Sequence, residues 1–430
     1  MRRAGRWIVV GVVFALLGTG IALAAVDDAG APSPAQRVPA LVSGGVAADP
    51  DAPDGIVELP PGAPPTPPTE AERAWLDAGR VPGAPGELRE TAERALLDMR
   101  LLTRPDGGVA AAWSPIWRYT WPRDAAWVSA AYSATGHGGE ALAVLRHLAA
   151  LQRRDGGWEA RYRLDGRPVA DGREAQLDAS GWVPWAVWFW YAEQDPADPS
   201  AAAAREELWP AVRAAADRAA ASLGEDGIPG PGADYWETRT DQRTLGTAAP
   251  LLAGLHAAAD LARTGGHGAE AERWAHAADV LRDGIRDEFG QYGYGRTPSA
   301  SGLADTAVTW LALPFAAPEP DVTDAVHRAA QALTLDNGGI LPGNNWRGHP
   351  QVAWTPETAS FALYDAASGN RAAAEARLLW LARHRTPHGS LPEKVAPNGR
   401  PASVAPLAWT AAAVILATTA LDRPLPTPPG

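Results

Sequence analysis

The chain has 430 residues, is 46% hydrophobic, carries a formal net charge of −12 at pH 7, and contains no cysteine. Its length admits one large domain or about two to three average ones, and its apolar fraction supports a substantial core. The acidic balance argues against nucleic-acid and anionic-membrane partners, which need a basic face. The missing cysteine excludes disulfides, zinc–thiolate sites and thiol nucleophiles.

The first element in chain order is an export signal. Arg2, Arg3 and Arg6 precede an apolar run from Trp7 to Val26, and Ala22-Leu-Ala24 resembles a signal-peptidase site. The run is also long enough to span a bilayer, so residues 1–26 read either as a cleaved signal peptide or as a retained anchor. In both cases the positive-inside rule places the remainder outside the cytoplasm, secreted or tethered through residues 7–26. Residues 27–69 are rich in Pro, Ala and Gly and end in Leu59-Pro-Pro-Gly-Ala-Pro-Pro-Thr-Pro-Pro68. They read as a linker or wrapping arm without a core of its own.

From 70 to 422 the pattern is helical, with Ala, Leu, Arg and Glu dominant and apolar residues three and four apart. About twelve helices are predicted, near 87–102, 122–134, 138–153, 179–193, 200–222, 244–264, 268–288, 302–315, 320–334, 353–368, 370–385 and 404–421. Residues 423–430 form a Pro-rich tail. Four helices end in Gly turns, at Asp155-Gly-Gly-Trp158, Glu225-Asp-Gly-Ile-Pro-Gly230, Asp336-Asn-Gly-Gly-Ile-Leu-Pro342 and Pro387-His-Gly-Ser-Leu-Pro392. Gly supplies the left-handed cap, and each turn opens a longer loop rich in aromatic and polar residues. Helical hairpins with decorated loops at one end predict an all-α fold, a closed (α/α)6 toroid with a concave pocket at the loop end. About half of the 19 tryptophans are expected in the core and the rest in that pocket.

The sequence has no Gly-x-Ser-x-Gly elbow, phosphate loop, His-Glu-x-x-His or dinucleotide fingerprint. What remains are carboxylates beside aromatics. Trp117-Arg-Tyr-Thr-Trp-Pro-Arg-Asp124 sets three rings beside an Arg/Asp pair, which suits the C–H faces and hydroxyls of a sugar. Pro122 fits the first helical position and puts Asp124 at the third, where it would equally serve a helix N-terminus. In Asp234-Tyr-Trp-Glu237, a glutamate against apolar rings would have a raised pKa and stay protonated as a general acid. In Gly389-Ser-Leu-Pro-Glu393, Glu393 follows an extended Leu391-Pro392 and would hold a water as general base. Either glutamate read alone is also compatible with a solvated loop.

In this order the three motifs resemble the glucoamylase-like glycoside hydrolases, family 15. The resemblance spans about residues 87–421 and rests on Tyr119-Thr-Trp-Pro-Arg-Asp124, Trp236-Glu237 and Leu391-Pro-Glu393. It implies a six-hairpin α/α toroid and an exo-acting, inverting α-glucosidase releasing glucose from non-reducing ends. It also implies that Glu237 is the general acid and Glu393 the general base, and that no metal or cofactor is needed. Arg123 and Asp124 would hold hydroxyls of the terminal glucose, with Trp121 lining the same subsite and Tyr119 and Trp236 as further substrate-binding residues. Gln176 and Asp178 resemble a further polar pair, Trp354 an aromatic of the next subsite, and Arg347 an arginine of the loop before the tenth helix. Trp117 departs from the family, which usually has a tyrosine there. The alternatives from other classes are a non-catalytic glycan-binding toroid and another toroid enzyme such as a trehalase-like hydrolase.

Overall fold

The structure, a computed structural model, describes residues 38–430. The expected signal or anchor, residues 1–26, and the start of the Pro/Ala/Gly-rich stretch lie outside the described residues. Residues 347–349 group apart from the main body of 38–346 and 350–430.

Twelve α-helices are present among the described residues. They are α1 (Glu70–Ala78), α2 (Glu87–Leu102), α3 (Pro122–Ala134), α4 (Gly138–Leu151), α5 (Ala179–Ala192), α6 (Pro199–Ala221), α7 (Leu245–Gly265), α8 (Gly268–Glu288), α9 (Pro320–Leu333), α10 (Thr355–Ala367), α11 (Arg371–Arg383) and α12 (Ala408–Asp422). The segment expected as a helix over 302–315 is instead a short 3-10 run, Thr306–Leu311, begun by Asp305, whose carboxylate accepts from the Ala307 amide. Helix α1 was not anticipated. Thr69 and Glu72 cap it reciprocally, which joins the end of the arm to a helix start.

The helices alternate between two layers. In α3, every residue from Pro122 to Ala134 is buried, and α5, α7, α10 and α12 are buried almost throughout. These segments are buried on all faces, as only an inner ring allows. The packing order closes: α3 on α5, α5 on α7, α7 on the 3-10 run, that run on α10, α10 on α12, and α12 back on α3. Helices α2, α4, α6, α8, α9 and α11 form the outer layer, with one buried stripe each. The result is an (α/α)6 toroid.

Aromatics plug its centre. Trp127, Trp182, Trp185, Trp310 and Phe315 interlock with ring centroids 5.1–6.0 Å apart. Where α5 crosses α7, no side chain fits. A Cβ on Gly254 would lie 2.4 Å from the Gly181 carbonyl oxygen. Gly254→Ala must therefore push two inner helices apart, at a cost of about 1–3 kcal/mol. Calorimetry should record a lowered melting temperature; an unchanged one would show that the crossing can relax.

Five outer helices end in the same turn. Its closing bonds run from the amides of Arg104, Arg153, Gly224, Leu335 and Thr386 to the carbonyls of Gly108, Gly157, Ile228, Gly339 and Ser390, at 2.8–2.9 Å. In each a glycine takes positive φ: Gly107, Gly156, Gly227, Gly338 and Gly389. The turns carry the chain back towards the amino ends of the inner helices, where the long loops lie.

Residues 38–69 dock on this body. Strands β1 (Gly45–Ala48) and β2 (Ile56–Leu59) form an antiparallel hairpin with Val46 buried. The Val42 amide donates to the Ser403 carbonyl at 2.9 Å, and the Thr386 hydroxyl donates to the Gly44 carbonyl.

Candidate active site

A cleft of about 410 Å³ lies at the amino ends of the inner helices. That size suits a ligand of a few hundred daltons. Short strands fix its rim. Strand β3 (Tyr119–Thr120) pairs with β4 (Tyr162–Arg163) and leads directly into α3, so Trp121 serves as an extended N-cap and Asp124 is the third helical residue. On the other side, β5 (Ala353–Trp354) pairs with β6 (Lys394–Val395), and β6 with β7 (Pro401–Ala402). That register sets Trp354 opposite Lys394 and brings Glu393 to the start of α10, where the Thr355 amide donates to the Glu393 carbonyl at 3.1 Å.

Trp121, Arg123, Asp124, Trp236, Glu237, Trp354 and Glu393 all line this cleft, as does Trp117. Gln176 and Asp178 sit behind it. Arg123 Nη1 donates to Gln176 Oε1 at 2.8 Å and to Asp178 Oδ2 at 2.9 Å, all three residues being buried. Tyr119 is also one shell out, with the Arg161 guanidinium stacked on its ring and on that of Trp121. Arg347 is exposed and falls in the stretch 347–349, outside this body.

Glu237 occupies a strained turn. Its φ is +55°, uncommon for a residue with a Cβ. Asp234 anchors the turn: its carbonyl accepts from the Glu237 amide at 2.8 Å, and its carboxylate accepts from the Trp236 amide at 3.1 Å and from Arg296 at 2.7 Å. Arg296 also stacks on the Trp236 ring, 3.7 Å from its centroid. The wholly apolar setting expected for Glu237 is not what forms. Trp121 Nε1 donates to one carboxylate oxygen, Arg173 pairs with the other, and Arg123 Nη2 stands 3.8 Å away. Arg173 comes from the loop between β4 and α5, too remote in sequence to be foreseen.

Glu393 accepts a hydrogen bond from the Ser403 hydroxyl and lies 3.4 Å from Lys394 Nζ. Ser403 holds a left-handed φ of +68°. The docked arm braces it from outside through the Val42 amide.

Burial raises several acids here. Asp124 is pushed up to about 6 by desolvation, against the lowering effect of Arg123. Asp305 rises to about 7 and Glu357 to about 8, again mainly by burial. Glu357, Tyr235, Trp346 and Trp409 line the cleft and were not singled out from sequence. Tyr235 did stand inside a quoted motif. Among the described residues six tryptophans line the cleft: Trp117, Trp121, Trp236, Trp346, Trp354 and Trp409. Three form a wall, Trp236 edge-on to Trp346 at 5.0 Å and Trp346 edge-on to Trp354 at 5.1 Å. Among the described residues no cluster of His, Asp or Glu is arranged to hold a metal ion.

Similarity to known proteins agrees with this architecture. The sequence model of glycosyl hydrolases family 15 matches residues 94–418. A solved structure titled wild-type glycosidase superposes with a TM-score of 0.67 at 20% identity, over 78% of this chain and 97% of that one. A bacterial glucoamylase complexed with acarbose gives 0.66 at 17% identity, over 83% and 58%. The glucoamylase of Saccharomycopsis fibuligera gives 0.62 at 15%, over 82% and 95%. At these identities the likeness is one of fold. An uncharacterised glycosyl hydrolase of Methanocaldococcus jannaschii is 29% identical over 103 residues, which is 24% of this chain and only 16% of that protein. The family match covers most of the chain, inner ring and cleft included: this protein belongs to glycosyl hydrolase family 15.

Proposed function

We propose that this protein hydrolyses α-glucosidic bonds from the non-reducing end of glucans or oligosaccharides, with inversion at the anomeric carbon. The observation that carries this reading is the meeting of Glu237 and Glu393, 156 positions apart by their numbers, on one cleft whose floor holds Arg123 and Asp124. Glu237 protonates the departing oxygen, and Glu393 deprotonates a water on the opposite face of the ring. Inverting pairs stand roughly 6.5–9.5 Å apart, with room for that water. Arg123 and Asp124 hold hydroxyls of the terminal sugar at the closed end, which makes the action exo.

The ion pair with Arg173 adds a step. A general acid must carry a proton and be free to deliver it when it acts. Arg173 therefore leaves Glu237 before proton delivery. Asp171 Oδ2, 3.4 Å from Arg173 Nε, is a second partner ready to receive it. The basic residues and apolar run of residues 2–26 support placing the activity outside the cytoplasm.

Proton NMR of the first product tests the mechanism. Digestion of maltose, isomaltose, trehalose, starch and dextran should yield β-glucose first from whichever of them is cleaved. Initial α-glucose would overturn inversion, and binding without turnover on the whole panel would overturn the enzymatic reading.

A further inference from the structure

The cleft contains a second copy of the arrangement that holds Asp124. Helix α3 is entered as Trp121-Pro-Arg-Asp124, and α10 as Trp354-Thr-Pro-Glu357. Each is preceded by or begins at a two-residue strand on the cleft rim, Tyr119–Thr120 in one case and Ala353–Trp354 in the other. Each uses tryptophan as an extended N-cap, with φ −93° and ψ 128° at Trp121, and φ −111° and ψ 126° at Trp354. Each has proline in the first turn and an acid as the third helical residue. Both helices belong to the inner ring, and both acids line the cleft.

The two carboxyls also match in what they leave open. Asp124 is 6% exposed and Glu357 2%. Asp124 Oδ2 and Glu357 Oε2 are buried, and neither has a hydrogen-bond partner among the described residues. Burying a polar atom unpaired costs about 1–3 kcal/mol, and an apolar side chain on α10 would avoid that cost. A role confined to the α10 N-terminus accounts for one oxygen at most and leaves Oε2 unexplained.

We propose that Glu357 is a substrate-binding residue that holds a hydroxyl of the sugar in the cleft, from the α10 side, as the counterpart of Asp124 on α3. This rests on the reading of the protein as an α-glucoside hydrolase. The two acids differ in chemistry. Asp124 has Arg123 beside it and is ionised at neutral pH, so it only accepts. Glu357 faces Glu393 and Lys394 across the β5–β6 pairing, Asp305 at the start of the 3-10 run, and the phenol of Tyr235. Lys394 already pairs with Glu393. Burial first, then Glu393 and Asp305, keep Glu357 protonated at neutral pH, with a pKa of about 8. It therefore offers an O–H donor as well as an acceptor. The acids around it would repel a carboxylate or phosphate, so the group it recognises is a neutral hydroxyl.

The test pairs side-chain removal with hydroxyl removal. kcat and KM are measured for wild type, Glu357→Gln and Glu357→Leu on whichever of maltose or isomaltose wild type cleaves faster. The same is done on the monodeoxy analogues lacking the 3-, 4- or 6-hydroxyl of either ring that carries one. Wild type should lose about 10- to 100-fold in kcat/KM on the analogue lacking the hydroxyl that Glu357 holds, the strength of a buried hydrogen bond. The Leu variant should be that much slower on the parent sugar, yet show no further loss on that one analogue, and keep wild-type penalties on the others. The Gln variant, whose amide replaces the carboxyl with altered donor and acceptor positions, should fall between the two on the parent sugar and lose much of the wild-type penalty on that one analogue. A Leu or Gln variant with wild-type penalties throughout and undiminished activity on the parent overturns the proposal. If Leu does not fold, a Gln variant whose selectivity pattern is lost supports the contact, and one indistinguishable from wild type overturns it. Failure of wild type to cleave any α-glucoside refutes the underlying reading instead, and this proposal with it.

Discussion

Glu237→Gln and Glu393→Gln are each expected to lower kcat on an α-glucan by about 10²–10⁴-fold, the range for losing a positioned acid or base. Glutamine keeps the shape of the side chain and an oxygen that accepts from Trp121 Nε1 at one site and from the Ser403 hydroxyl at the other. What it cannot do is deliver or take a proton at neutral pH. Melting temperatures close to wild type should accompany the losses. The two variants are then separated by α-glucosyl fluoride, whose leaving group needs no protonation. Glu237→Gln should recover much of its rate on the fluoride. Glu393→Gln should not, because it lacks the group that activates water. Recovery in Glu393→Gln but not in Glu237→Gln would exchange the two roles. Full activity of either variant on glucan would remove that residue from the mechanism.

Much of this architecture is visible in one dimension, for identifiable reasons. The outer helices show a 3.6-residue stripe because one side faces solvent. The inner helices show none: Ala179-Ser-Gly-Trp-Val-Pro-Trp-Ala-Val-Trp-Phe-Trp-Tyr-Ala192 is apolar all round, and only an inner ring explains that. The repeated turns are legible because a left-handed cap needs glycine; Pro105-Asp-Gly-Gly108 is a fifth example that follows the same rule. The segment 302–315 misleads because Leu313-Pro314 ends any helix early, leaving six residues in a tighter winding. Residues whose roles depend on distant partners are the hardest to see. Arg173 reaches Glu237 from 64 positions away by number, and Ser403 gains its bond to Glu393 through the β6–β7 pairing. Glu357 reads from sequence as an ordinary first-turn acid. Only its burial, and its likeness to Asp124, separate it from the many glutamates that merely favour a helix start.

The buried ion pair beneath the cleft yields the largest expected change in stability. Arg123→Leu removes the cation that, among the described residues, alone pairs with Asp178, whose side chain is 1% exposed, and the one beside Asp124. Leaving such a charge unpaired costs about 3–5 kcal/mol. The deficit should grow with pH. In wild type, Asp124 titrates at about 6, above its unfolded value, because burial outweighs the pull of Arg123. An acid raised in the folded state stabilises the fold at low pH, and that contribution is lost as pH rises through the folded pKa. Without Arg123 the folded pKa of Asp124 rises further, so the loss extends above pH 6 in the variant after it has ended in wild type. The gap between the two melting temperatures should therefore widen between pH 6 and pH 8; a constant or narrowing gap would mean that Arg123 does not control that carboxyl. A double variant, Arg123→Leu with Asp178→Leu, separates stability from function. Replacing both partners by apolar groups of suitable size is often close to neutral, so it should regain most of the lost stability. It should nonetheless remain inactive on glucan, because the guanidinium proposed to fix the terminal sugar is gone. Recovery of both stability and activity would reduce the Arg123–Asp178 pair to scaffolding and leave Asp124 to hold the sugar unaided.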